Sequence, residues 1–379
     1  MKKRKILFYS LVLIVIIALV VLVFNILPDG VNSVFNISRI DGISKEMMTK
    51  GISGAPYWIY SSQLNGYGNA SPLFYGDIFL YVPAFFVYMG MKIQLSYKIF
   101  ILLVIFLSGL TMYLCVRKIF NKLIISMSSS MVYMILVFLF MEFLPKKIFS
   151  EFTFLIFVPL VFAGVISILV NEKNKSDIIK ISMGLSGIAF SQIIIAIVIG
   201  VIILIVFLLN IRKRFYIIVS LIFMIGISSY YTFPLIEQIS QPNITIKDIM
   251  PTEIKDESFT QKRGEVITSN NKKLKTSLNR TRYVFDFNYR KNNEFNTYVE
   301  LPLIMYKGYA AIDKNTERQY AVTTSKNGLV KVNIYDVYQG DLTVFYRGTE
   351  IQNYSVILTT ISLIVLLGFV FWKKEDEKC

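Results

Sequence analysis

The sequence predicts a mainly α, polytopic membrane helical bundle of about eight spans plus a re-entrant or interfacial helix, carrying a small β-rich extracytoplasmic domain. Three observations predict it. Eight long apolar runs alternate with short basic loops. Just before the last run, residues 238–352 turn polar. The chain is 54% hydrophobic with a mean hydropathy of +0.56, too apolar for a water-soluble chain of 379 residues. A run of ~20 apolar residues crosses a bilayer as a helix, because there every backbone polar group must be satisfied within the segment.

The formal charge of +15 would also suit a nucleic-acid binder. The excess Lys and Arg, however, falls largely in short loops between apolar runs, as the positive-inside rule expects. The partner implied is membrane lipid, with no nucleic acid. Cys115 lies in an apolar run and Cys379 is the last residue, so no disulfide framework is expected. There is no histidine, which removes His-based nucleophilic triads and argues against a conventional zinc site.

The elements follow in order. Lys2, Lys3, Arg4 and Lys5 precede the run 6–27, which is too long for a signal core and lacks a clear small-residue cleavage site. It reads as a retained anchor with a cytoplasmic N-terminus. Residues 79–91 are short and hold Pro83 and Gly90, which suits a re-entrant or interfacial helix on the outer side. Residues 97–116 cross inward to Arg117, Lys118 and Lys122. Then 123–143 goes out and 152–170 comes in to Lys173, Lys175 and Lys180. About 178–190 goes out and 194–210 returns to Arg212, Lys213 and Arg214. Finally 215–233 goes out and 354–372 comes in, with Trp372 at the interface and Lys373, Lys374 and Lys378 in a cytoplasmic tail. The expected product is a multi-pass cell-membrane protein with both termini cytoplasmic. It divides into a transmembrane module 1–237 with outer loop 28–79, a β-rich domain 238–352, and a last helix and tail 353–379.

Four segments face outside: 28–79, 142–151, the turn Ser191-Gln192, and 238–352. The first holds Asp29, Arg39, Asp41, Glu46 and Asp77, with a Gly/Asn/aromatic stretch around Tyr67. A carboxylate there can activate an acceptor hydroxyl, or bind a divalent metal that neutralises a donor phosphate. It can equally be a solvated loop charge. Asp77 stands out because it opens an apolar helix, where an idle charge is expensive. Lys146 and Lys147 can hold a lipid-linked phosphate or pair with Glu142 and Glu151. Glu151 at a helix start is also explained by the helix dipole. In the last outer segment YVFDF, TYVELPLIMY, QYAVTT, GLVKVNIY and DLTVFY alternate apolar and polar residues, with turn signals at Asn327-Gly328 and Gln339-Gly340. This predicts a β-rich domain from about residue 280. It offers no Gly-rich phosphate loop and no metal cluster.

The stretch GYGNASPLFYGDIFLYVPAFFVYMG resembles the GYGY…FYGDxFLYxPAxL region of the YfhO-type bacterial integral membrane proteins. Ser191-Gln192-Ile193, SYYTFPLIEQ, and ELPLIMYKGYAAID…SKNGLVKVNIYDVYQGDLTVFYRGT are similar too, so the likeness touches both ends of the chain. That family belongs with GT-C-type polytopic glycosyltransferases. The resemblance therefore implies transfer of a sugar from a polyprenyl-phosphate donor to a cell-envelope glycopolymer, of teichoic-acid type in Gram-positive bacteria, on the outer face. With the residues above, the expected catalytic pair is Asp41 and Asp77. The expected substrate-binding set is Asp29, Arg39, Tyr67, Lys146, Lys147, Glu151 and Gln192.

The chain departs from the family pattern in three places. Asn32 and Asn36 occupy the positions of an acid and a His in the first loop, Gln192 sits where a His is common, and the middle is shorter. An amide cannot serve as a general base. Either Asp29 or Asp41 substitutes from a neighbouring position, or the chain is a catalytically degenerate member that acts as an envelope scaffold. A transporter is a third class. It would call for ionisable groups or broken helices at mid-membrane, and runs 123–210 hold almost no ionisable residue.

Overall fold

The computed structural model describes residues 2–26, 31–143, 152–170, 175–208, 214–240, 267–268, 276–280, 284–290, 298–334 and 339–371. The chain is mainly helical with a small β region. It forms two compact units: Met1–Ser44, Tyr75–Phe233 and Ser355–Cys379 make the first, Lys45–Phe74 and Pro234–Tyr354 the second.

The helices are α1 (Lys2–Ile26), α2 (Val31–Lys50), α3 (Ser71–Phe74), α4 (Tyr81–Tyr88), α5 (Ile93–Phe120), α6 (Leu123–Phe143), α7 (Phe154–Val170), α8 (Lys175–Ser191), α9 (Ile193–Leu208), α10 (Arg214–Ile239) and α11 (Glu350–Phe371). Four of them contain stretches long and apolar enough to cross a membrane: Ile93–Phe120, Leu123–Met141, Phe215–Ile239 and Glu350–Gly368. Eight spans were expected; among the described residues four meet that length and apolarity. Within those residues α7 and α8 have 17 residues each, α9 has 16, and α8 opens on the polar Lys175-Ser176-Asp177. Many large apolar side chains stay exposed, among them Ile194, Ile202, Ile222 and Ile364. Exposed apolar surface on this scale marks contact with lipid. The chain is a membrane protein.

Small and hydroxyl residues bring the helices of the first unit together, as expected where lipid removes the hydrophobic drive. Gly184 and Gly187 of α8 lie against Val161 and Phe157 of α7. Ser182 and Ser186 of α8 donate to the carbonyls of Ser220 (3.1 Å) and Met224 (3.4 Å) on α10. Ser229 of α10 donates to the Ser355 carbonyl at 3.2 Å and meets Thr359 Oγ1 of α11 at 3.0 Å. Lys98 near the start of α5 donates to the Phe24 carbonyl at the end of α1, at 2.9 Å. At the other end of α5, Lys118 lies 4.0 Å from Asp177 in the first turn of α8.

Two expectations for the first outer loop are corrected. Its residues 31–50 are helix, not loop: α2 buries Asn36, Arg39, Ile40, Ile43 and Met47, the i, i+3, i+4 stripe of a helix face. Two polar members hide that stripe in the sequence. The segment Lys45–Phe74 also belongs to the second unit, not to the transmembrane module. Its Ile59, Ala70 and Leu73 pack with Tyr306, Tyr309 and Tyr346, and the Tyr67 carbonyl accepts from Ile304 N–H at 3.0 Å. The expected short helix at 79–91 is a 3-10 turn, Ile78–Leu80, running into α4, eight residues long.

Among the described residues the second unit holds nine strands in two antiparallel sheets: β1 (Ile267–Thr268), β2 (Thr276–Arg280), β3 (Val284–Arg290), β4 (Tyr298–Ile304), β5 (Tyr309–Asp313), β6 (Gln319–Tyr320), β7 (Val322–Thr324), β8 (Leu329–Asn333) and β9 (Gln339–Tyr346). The orders are β1-β4-β8-β7 and β2-β3-β9-β5-β6. Alternate residues from both sheets build one core: Phe285, Phe287 and Tyr289 of β3, Val299 and Leu301 of β4, Val330 and Val332 of β8, Leu342 and Val344 of β9. This is the period-2 pattern of a two-sheet sandwich. Asn327-Gly328 does make the β7–β8 turn, with Gly328 at φ 75°. Gln339-Gly340 does not: both lie inside β9. A Cβ at Gly340 would sit 2.9 Å from Asp313 Oδ2 and 3.0 Å from the Tyr289 ring, so glycine serves close packing there.

Candidate functional site

In the first unit, α2 places Asn36 and Arg39 one helical turn apart on its buried face. The residue pair Gly76-Asp77 meets them. Arg39 is fully buried and Asp77 is 5% exposed. The Arg39 Nε donates to Asp77 Oδ1 at 2.7 Å, and Nη2 donates to the same oxygen and to the Gly76 carbonyl at 3.2 Å. Nη1 donates to Asn36 Oδ1 at 3.2 Å, and Asn36 Nδ2 donates to the Tyr97 hydroxyl at 3.2 Å. Phe35 and Tyr75 flank the guanidinium, with ring centroids 5.1 and 5.5 Å from Cζ. Burial pushes the Tyr75 phenol above its ordinary value, and the Arg39 charge offsets only part of that. Tyr75 is a neutral hydrogen-bonding group at any physiological pH.

Gly76 makes this junction sterically possible. A Cβ there would lie 1.7 Å from the Phe190 carbonyl oxygen. The backbone before Asp77 therefore rests directly on the last turn of α8, one residue before Ser191-Gln192. Phe190 and Phe79 stack edge-on at 6.4 Å, and Phe190 meets Tyr230 of α10 at 6.4 Å. Three sequence-distant pieces thus converge: the middle of α2, Gly76-Asp77, and the α8–α9 corner.

Among the expected residues, Arg39 and Asp77 come together and the Gln192 backbone lies next to the same corner. Asp41 does not join them. Two residues on from Arg39, it lies ~200° around the helix and is half-buried. Tyr67 is in the second unit and is buried; two residues on, Asn69 forms a bridge with Tyr60. Asp29, Lys146, Lys147 and Glu151 lie outside the described residues. Among the described residues, no three His, Cys, Asp or Glu side chains gather as metal ligands.

Two buried carboxylates of the second unit carry more structure than the sequence suggested. Glu46, 1% exposed, accepts from both Ser61 N–H and Ser61 Oγ at 2.8 Å and pairs with Lys50 at 3.2 Å. Glu237 accepts from Thr349 Oγ1 at 2.6 Å and pairs with Lys307 at 2.9 Å. A one-turn Glu46–Lys50 spacing was the only sequence signal for either. No protein-family model, curated protein or solved structure matches the chain, so the functional reading stands on these residues.

Proposed function

We propose that the chain is a GT-C-like membrane glycosyltransferase of the YfhO type. It transfers a sugar from a polyprenyl-phosphate donor to a cell-envelope glycopolymer on the outer face. One observation carries this reading: a buried Arg39–Asp77 pair at the meeting point of α2, Gly76 and the α8–α9 corner. Desolvating two charges costs several kcal/mol per ion, and apolar substitutes of the same volume often fold as well or better. Stability alone is thus a weak reason to keep the pair, which favours a functional one.

Asp77 is the base and Arg39 fixes its position. The acceptor hydroxyl gives its proton to Asp77 as its oxygen attacks the anomeric carbon. The bond from that carbon to the donor phosphate oxygen breaks, and polyprenyl phosphate leaves with the electron pair. Proton uptake neutralises the Asp77 carboxylate, and the negative charge leaves on the polyprenyl phosphate. Asp41, on another face of α2, serves no step. The eight-span topology with both termini cytoplasmic is part of the proposal. The Lys98–Phe24 contact supports it by placing the end of α1 beside the start of α5. The Lys118–Asp177 contact supports it by placing the end of α5 beside the start of α8.

A second reading, a degenerate scaffold, draws on one observation: Asn36 and Asp77 are both bonded to Arg39, as a purely structural pair would be. Envelope glycan composition separates the two. In a deletion strain, wild type and Asp41→Asn should restore a missing sugar. Asp77→Asn and the neutral double variant Arg39→Gln/Asp77→Asn should not, at equal membrane abundance. Full rescue by the double variant would establish the scaffold instead.

A further inference from the structure

The second unit contains a cavity of about 310 Å³ that belongs to no expected site. Four aromatic side chains line it, Trp58, Tyr309, Phe345 and Tyr346, together with the cations Lys50 and Arg347. Among the described residues, no carboxylate lines the wall. Its volume is at the small end of the ~300–1,000 Å³ of ligand pockets, enough for one sugar ring with a substituent.

The wall is built rather than incidental. Tyr309 and Tyr346 stand edge to face with centroids 5.2 Å apart. The Tyr346 hydroxyl is fixed twice: it accepts from Gln352 Nε2 at 2.8 Å and donates to the Lys307 carbonyl at 3.1 Å. Glu46 holds the lining residue Ser61 and pairs with Lys50 behind the wall. Lys50 is therefore largely balanced, whereas Arg347 is exposed at the cavity.

We infer that this cavity binds a sugar unit bearing one anionic group, with phosphate the best fit. Aromatic rings offer apolar faces for the C–H side of a pyranose and place its hydroxyls toward polar edges. A guanidinium fork matches a phosphate bidentately. One exposed guanidinium at the cavity calls for one anion, not a polyanion. This site goes beyond the transfer reading and stands whether or not the chain transfers a sugar.

The chain has two tryptophans, so Trp372→Phe leaves Trp58 as the sole indole reporter. The full-length protein in detergent would be titrated with glucose 1-phosphate, glucuronate, methyl glucoside and inorganic phosphate. Saturable change in Trp58 emission is expected with glucose 1-phosphate. Binding of methyl glucoside, which loses the charge-assisted contact, and of phosphate, which loses the ring contacts, should each be about tenfold weaker or more. Glucuronate binding as tightly would reassign the anion to a carboxylate and overturn the phosphate preference. Arg347→Gln should weaken glucose 1-phosphate about tenfold, while the exposed control Arg318→Gln should not. No saturable change with any probe, free phosphate binding as tightly as the sugar phosphate, or an unaltered Arg347→Gln would each overturn the inference.

Discussion

Arg39 and Asp77, 38 residues apart in sequence, form a buried ion pair in which Nε and Oδ1 are 2.7 Å apart. The pair joins α2 to the residue that precedes the short helices before α5. Removing one partner strands a charge in an apolar site. Asp77→Ala or Arg39→Ala should destabilise the detergent-solubilised protein by about 3–5 kcal/mol, whereas Arg39→Met/Asp77→Leu should recover most of that loss. Thermal unfolding of the three variants checks this. A double variant no better than the worse single would show that the pair's hydrogen-bond geometry, not charge balance, is what the fold uses.

Gly76 should be intolerant for a different reason. Alanine there places a Cβ 1.7 Å from the Phe190 carbonyl, a backbone atom that cannot swing aside. Gly76→Ala should cost about 3 kcal/mol or more as overpacking. Gly200 of α9 has nothing within 4 Å of such a Cβ, and Gly200→Ala should stabilise by about 0.5–1 kcal/mol through helix propensity. Equal melting temperatures for the two variants would contradict the close approach at Gly76.

What was legible in the sequence and what was not follows one physical line. Long apolar runs and alternating strands announce themselves locally, so α5, α6, β3, β4, β8 and β9 fall close to where the pattern puts them. Helix α2 did not, because Asn36 and Arg39 occupy its buried stripe and read as loop polarity. Strand β5 was missed for its small residues, and β2 for its polar ones. The Arg39–Asp77 contact, the Gly76–Phe190 approach and the assignment of Lys45–Phe74 to the β unit are long-range facts. No local periodicity encodes them.

The α10–α11 contact offers a test of how hydroxyls join membrane helices. Thr359 Oγ1 accepts from Tyr230 N–H at 2.9 Å and meets Ser229 Oγ at 3.0 Å. In lipid such bonds are modest, because a separated helix also finds partners. A double-mutant cycle with Ser229→Ala and Thr359→Val should give a coupling near ~0.6 kcal/mol. A coupling indistinguishable from zero would assign the contact to packing alone, with Gly226 against Ser362 as its centre.

The β unit should carry one pH signature. Asp286 on β3 lies across from Thr343 of β9, accepts from Thr343 Oγ1 at 2.7 Å and pairs with Lys314 at 2.9 Å. Partial burial pulls its carboxyl up, but the hydrogen bonds from Lys314 and Thr343 and the Lys314 charge outweigh that and hold it below the ordinary 3.8. A carboxyl depressed in the folded state binds its proton less tightly there than in the unfolded chain. Its contribution is therefore complete above 3.8 and disappears as pH falls through the lower folded value. Wild type should be more stable than Asp286→Asn at neutral pH, and the gap should close only in acid. Because Lys314 is half exposed, the gap should also shrink with added salt. Urea unfolding of both proteins across that pH range reads it directly; a gap that is constant with pH would mean Asp286 acts through its hydrogen bond to Thr343 and not through its charge.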